Sequence, residues 1–202
     1  MDIAYWSRRS AAVMAFAAAA ILTGLIISLA GGGMPPPAVL DALSVGAAAS
    51  ALVVVIIAYA ALVPSRWAQA GRALALSGMT LVLVGDGLQA VATRAASNVG
   101  LLWAMSFAIR DGIGNGLFFT SLLVLGALLW STHRWIAGLA VANAVLGFLE
   151  MAFAARLGLP PHLNFLLLVA WFVVLGIVWW RAASGDLQER PSGLPTEAML
   201  AG

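Results

Sequence analysis

Residues 163–180 read Leu-Asn-Phe-Leu-Leu-Leu-Val-Ala-Trp-Phe-Val-Val-Leu-Gly-Ile-Val-Trp-Trp, with one polar side chain and no charge. An α-helix rises about 1.5 Å per residue, so this run nearly covers the roughly 30 Å of hydrocarbon in a bilayer. Five further runs of the same character stand upstream, at 11–30, 43–63, 74–93, 109–130 and 136–155. Helix breakers separate them. Gly31-Gly32-Gly33-Met34-Pro35-Pro36-Pro37 cannot continue a helix, and Pro64 and the pair Pro160-Pro161 end two others. The stretch 99–108 either lengthens the fourth span or lies in the interface. The expected architecture is an all-α membrane protein, six transmembrane helices in one bundle over 1–181, followed by a flexible cytoplasmic tail at 182–202.

Composition agrees with a lipid solvent. Hydrophobic residues are 63% of the 202 and charged residues 9%, against about 25% charged in an ordinary soluble domain. With no cysteine, disulfides and thiolate metal sites are excluded. All ten basic residues are arginine, so a lysine Schiff base is excluded too. The arginine-only, alanine-rich usage points to a GC-rich bacterial genome. A net charge of only +2 indicates positive loops rather than a nucleic-acid-binding face.

The arginines set an orientation. Arg8, Arg9, Arg66, Arg72, Arg134, Arg181 and Arg190 fall on one side of a six-span chain, and Arg94 and Arg156 on the other. By the positive-inside rule both termini are cytoplasmic. Trp6, Trp67, Trp130, Trp135, Trp179 and Trp180 fall at the same ends, where an indole has both an apolar bed and a polar partner. Ser7-Arg8-Arg9-Ser10 also has the form of a twin-arginine signal; the length of the following run favours a first span with positive flanks. The expected location is the bacterial inner membrane, multi-pass, N-in and C-in.

Charge inside a span costs about 2.5–3.5 kcal/mol on insertion scales, so the few intramembrane polar residues mark the place to look. They are Asp86 and Gln89 in span three, Arg110, Asp111 and Asn115 in span four, and Asn143 and Glu150 in span five. At about 1.5 Å per residue, Asp86 lies roughly 12 Å inward of Arg94 and Glu150 roughly 9 Å inward of Arg156. All the ionisable groups therefore belong to the outer, periplasmic half. Asp86 with Gln89, Asp111 with Asn115, and Asn143 with Glu150 each follow one helix stripe, and spans three, four and five can converge on one polar site. Gly112, Gly116 and Thr120 form a small-xxx-small stripe that would let a neighbouring helix approach. Arg110 keeps its proton and needs acceptors. Asp86 and Glu150 come from other helices and can face it, whereas Asp111, about 100° away on an α-helix, is the poorer partner. Such a cluster serves either as a clasp fixing helix register or as a ligand site.

Other chemistry is not supported. His133 and His162 fall at opposite membrane faces and cannot share a haem iron. Asp111-Gly112-Ile113-Gly114-Asn115-Gly116 follows no strand and leads to no Gly-Lys-Ser/Thr, so it is not a phosphate loop. No cofactor and no metal are expected.

With these residues in view, the stretch 107–130, with Asp111-Gly112-Ile113-Gly114 leading into Leu117-Phe118-Phe119, resembles the six-helix bacterial membrane family catalogued as domain of unknown function 4386. The turn at 131–135 and the segment from Gly138-Leu139-Ala140 to Gly147-Phe148-Leu149 resemble it as well. The resemblance implies a six-span inner-membrane bundle and no activity.

Three functions fit. The first is binding or transport of a small or lipid-like molecule at a periplasm-facing polar site formed by Asp86, Gln89, Arg110, Asp111, Asn115, Asn143 and Glu150. The second is a non-catalytic accessory subunit of a membrane complex. The weakest is a membrane-embedded hydrolase using Asp111, Glu150 and His162. Expected partners are membrane lipids, a small amphiphilic ligand or a membrane protein, and no nucleic acid.

Overall fold

A computed structural model describes residues 3–30, 36–94, 99–157 and 163–188. Every regular element among them is helical: α1 (Ile3–Ala30), α2 (Pro37–Ala60), α3 (Arg66–Arg94), α4 (Val99–Phe107), a π-helical segment (Ala108–Gly114), α5 (Asn115–Leu129), α6 (Arg134–Leu157) and α7 (Leu163–Gln188). Six helical stretches are long and apolar enough to cross a membrane. The segment from 99 lengthens the fourth of these, which runs as α4, the π segment and α5 over Gly100–Leu129. The final helix continues to Gln188, beyond the span end at 180. The remainder of the expected tail lies outside the described residues, as do the glycine–proline run at 31–35, Pro160-Pro161 and Arg190.

The helix ends follow from local chemistry. Proline at the first position of α2 lacks only an N–H that a helix start leaves unused. Ser65 caps α3, its Oγ accepting the Ala68 N–H at 3.1 Å. After α5 the chain turns tightly, and the N–H groups of Thr132 and His133 both return to the Leu129 carbonyl, at 3.1 and 2.8 Å.

The helices form a closed ring. Each packs against its neighbours in sequence, α5 standing for the fourth span, and α1 packs against α7. Neighbours run antiparallel: the Arg9 guanidinium near the start of α1 lies over the Trp180 ring near the end of α7, 4.6 Å from its centre. At one end of the ring stand Arg8, Arg66, Arg72, Arg134 and Arg181, with Trp67, Trp130, Trp135 and Trp180 exposed beside them. At the other stand Asp41, Asp86, Asp111 and Glu150 with Arg94 and Arg110. These are called here the arginine end and the carboxylate end.

The two halves of the interior differ. Towards the arginine end the ring is filled by Val54, Val55, Leu122, Leu125, Trp171 and Phe172, none measurably exposed. The Trp171 indole N–H donates to the Ile136 carbonyl at 3.2 Å, which explains a tryptophan away from the interface. Tyr59 closes the same region, donating to the Ser121 carbonyl at 2.6 Å.

Glycines set the tightest seam. Gly71, Gly78 and Gly85 recur every seven residues on the buried face of α3. A Cβ at Gly78 would lie 2.7 Å from both the Gly114 carbonyl oxygen and the Phe118 nitrogen, and one at Gly85 would lie 2.5 Å from Arg110 Cβ. The close approach expected at Gly112 and Gly116 is not found: nothing lies within 4 Å of a Cβ at Gly112, and only Met151 Cε, at 3.9 Å, near one at Gly116. Gly114 meets α3 instead. The π turn between these residues shifts which side of the fourth span faces α3.

Candidate functional site

Towards the carboxylate end the ring is not filled. A cavity of about 660 Å³ opens there, with walls from all six spans rather than from three to five alone. This is within the size range of small-molecule sites. Its floor is apolar, made by Leu22, Ala51, Met79, Phe118 and Leu168, and its charged groups stand around the carboxylate end, on α2, α3, the π segment and α6.

The π segment builds the polar wall. Its wider turn brings the Asn115 N–H back to the Arg110 carbonyl, five residues earlier. Gly112 and Gly114 weaken the preference for a regular α-helix there. Arg110 rises from this segment opposite Gly85, whose missing side chain leaves room for the arginine stem. Its guanidinium then reaches four acceptor contacts. Nε and Nη2 donate to Asp111 Oδ1 and Oδ2, both at 2.9 Å. Nη1 donates to Asp86 Oδ1 at 3.2 Å and also to Gln89 Oε1. Asn115 Nδ2 donates to Asp111 Oδ1 at 3.3 Å.

Arg110 is thus the centre of the cluster, and Asp86 is its partner from another helix. The expectation for Asp111 is overturned: the neighbour in sequence makes the bidentate pair. An angle of about 100° between adjacent residues holds for an α-helix. In a π turn the angle between them is smaller, and the long arginine stem folds back onto the carboxylate.

Glu150 lines the same cavity but does not join Arg110. Its Oε1 accepts the Asn164 backbone N–H at 2.7 Å, holding the start of α7 against α6. Asn143 stands apart from the cavity wall, buried between the same helices, and its Nδ2 donates to the Asn164 carbonyl at 2.7 Å. The structure therefore brings Asp86, Gln89, Arg110, Asp111 and Asn115 into one network, adds Glu150 across the cavity, and leaves Asn143 as a helix-packing residue.

Three contributors went unforeseen. Asp41 lines the cavity from α2 and lies 3.7 Å from Arg94. Its signal was an acid four residues after a proline run, placed just outside the expected span. Phe107 lies beneath Arg110, ring centre 5.4 Å from the guanidinium carbon, a favourable cation–π placement. Ser106, fully buried, donates to the Gly85 carbonyl at 2.9 Å and ties α4 to α3. His162 lies outside the described residues. Among those described, no group of three or more His, Asp or Glu side chains is placed to hold a metal.

No family model matches this chain, and neither a curated protein nor a solved structure matches it.

Proposed function

We propose that this chain is a multi-pass inner-membrane protein that binds or transports a small or lipid-like molecule, taken up from the periplasm into the ring. The observation that carries the reading is the cavity itself. A register clasp needs Arg110 and its acceptors, but it does not need some 660 Å³ of space beside them. An apolar floor with a few polar groups towards one end matches the usual composition of a small-molecule site. The periplasmic assignment rests on the arginine distribution and the positive-inside rule.

The test is to fill the cavity. Ala48 lies on its α2 wall, and Ala48→Phe places a ring where the ligand's apolar part would lie. Purified protein in nanodiscs is screened for thermal stabilisation by a panel of lipids and amphiphiles. At a concentration of about 100 Kd a true ligand stabilises by about 2.7 kcal/mol. The expected result is stabilisation of the wild type and its loss in Ala48→Phe. A panel that stabilises neither protein, or both equally, refutes the reading.

A further inference from the structure

The charges on the cavity wall do not balance. Asp41, Asp86, Asp111 and Glu150 line it, and Arg110 is its one basic residue among those described. Arg110 is also largely occupied. Of its five N–H groups, four already point at Asp111, Asp86 and Gln89. One remains for a ligand, which is little with which to hold an anionic head group.

Glu150 is in the opposite position. Its partners are the backbone N–H groups of Asn164 and Leu163 at the start of α7, which are neutral donors. Among the side chains described, no arginine forms an ion pair with it. It faces a cavity that Phe118, Phe119 and Phe165 also line. Aromatic faces attract cations and repel anions. A carboxylate held by neutral backbone donors, aromatic side chains on the wall and a largely occupied arginine all select the same sign of charge.

We infer that the ligand of this cavity is a hydrophobic cation, an amine or quaternary onium group on an apolar body, with its charge set against Glu150. The inference rests on the binding reading above and adds the ligand's charge to it. The apolar body occupies the floor between Leu22, Met79 and Leu168, and the cationic group stays at the carboxylate end. Asp86 and Asp111 stay with Arg110 and Asp41 with Arg94, so Glu150 supplies the counter-charge.

The experiment compares three bulky aryl probes of different charge: tetraphenylphosphonium, tetraphenylborate and neutral triphenylphosphine oxide. Binding to the full chain in nanodiscs is measured by equilibrium dialysis, with empty nanodiscs subtracting partition into lipid. The expected result is saturable binding of the phosphonium, with the borate and the oxide each at least about tenfold weaker, or about 1.4 kcal/mol. Glu150→Gln weakens the phosphonium about tenfold, and Glu150→Asp, which keeps the charge, retains most of the affinity. Equal or tighter binding of the borate or the oxide overturns the cation assignment and leaves the binding reading standing. So does an unchanged phosphonium affinity in Glu150→Gln. If that variant does not fold, the three-probe comparison on the wild type decides alone. Absence of saturable binding by all three probes overturns the cation inference, and the lipid and amphiphile panel then decides the binding reading separately.

Discussion

Replacing Arg110 with alanine tests whether the polar wall holds the bundle together. The cost can be built from the geometry. Asp111 is 38% exposed in its side chain and Asp86 only 7%. Once the guanidinium is gone, Asp111 can turn to water, so its lost pair contributes less than about 1 kcal/mol. Asp86 cannot. It is left buried with an uncompensated charge, a situation that costs about 3–5 kcal/mol when burial is complete. Since the Arg110 side chain is itself 20% exposed, water already reaches part of the pair, and the lower end of that range applies. A net loss of about 3 kcal/mol corresponds to a fall of roughly 6–12 °C in apparent Tm for a chain of this size. The assay is the fraction remaining monodisperse after heating in detergent, read by size-exclusion chromatography. Asp86→Asn in the Arg110→Ala background removes the stranded charge and recovers about half the loss, because the two residues are coupled. If Arg110→Ala melts within about 2 °C of the wild type, or if Asp86→Asn adds to the damage, the buried-pair account is wrong.

Two further outcomes follow from the ring. Gly78→Ala drives a methyl group into backbone atoms of Gly114 and Phe118 that cannot move aside, and should destabilise by about 1–3 kcal/mol. Gly87→Ala, with nothing within 4 Å of its added Cβ, should be neutral or stabilising by up to about 1 kcal/mol; equal effects at both sites in the same heating assay would remove the case for a glycine-set seam. For orientation, the cysteine-free chain is a clean background. A cysteine replacing Thr132 at the arginine end should react with a membrane-impermeant maleimide only after permeabilisation, and one replacing Arg94 should react in intact cells; the reverse pattern overturns the periplasmic assignment.

The sequence and the structure agree where a single helix decides the matter. Whether residues 163–180 can span a bilayer depends on their own side chains, and so does the depth of Asp86 or Glu150 along a helix axis. The clustering of Asp86, Gln89 and Arg110 was legible for the same reason: equal depth and inward stripes leave few alternatives. What was not legible depends on partners. The closing of α1 on α7 joins segments more than 100 positions apart in the chain, and no local pattern announces it. The Arg110–Asp111 pair was not legible because the α-helical angle between neighbours does not hold through a π turn. That turn has no residue signature beyond Gly112 and Gly114. The spacing of Gly71, Gly78 and Gly85 was a readable signal, since seven residues return nearly to the same helix face, whereas the small residues at Gly112 and Gly116 mark no close approach.

The ring has a consequence of parity. A circle of staves in which every neighbour points the opposite way closes only on an even number. Six staves satisfy this, so the chain enters α1 and leaves α7 on the same side of the ring. A single helix could not be inserted without setting two parallel neighbours side by side. Change in such an architecture would proceed by hairpins, two helices at a time. Each added hairpin would lengthen the circumference, and with it the width of the space enclosed, while leaving the sidedness of both ends as it was.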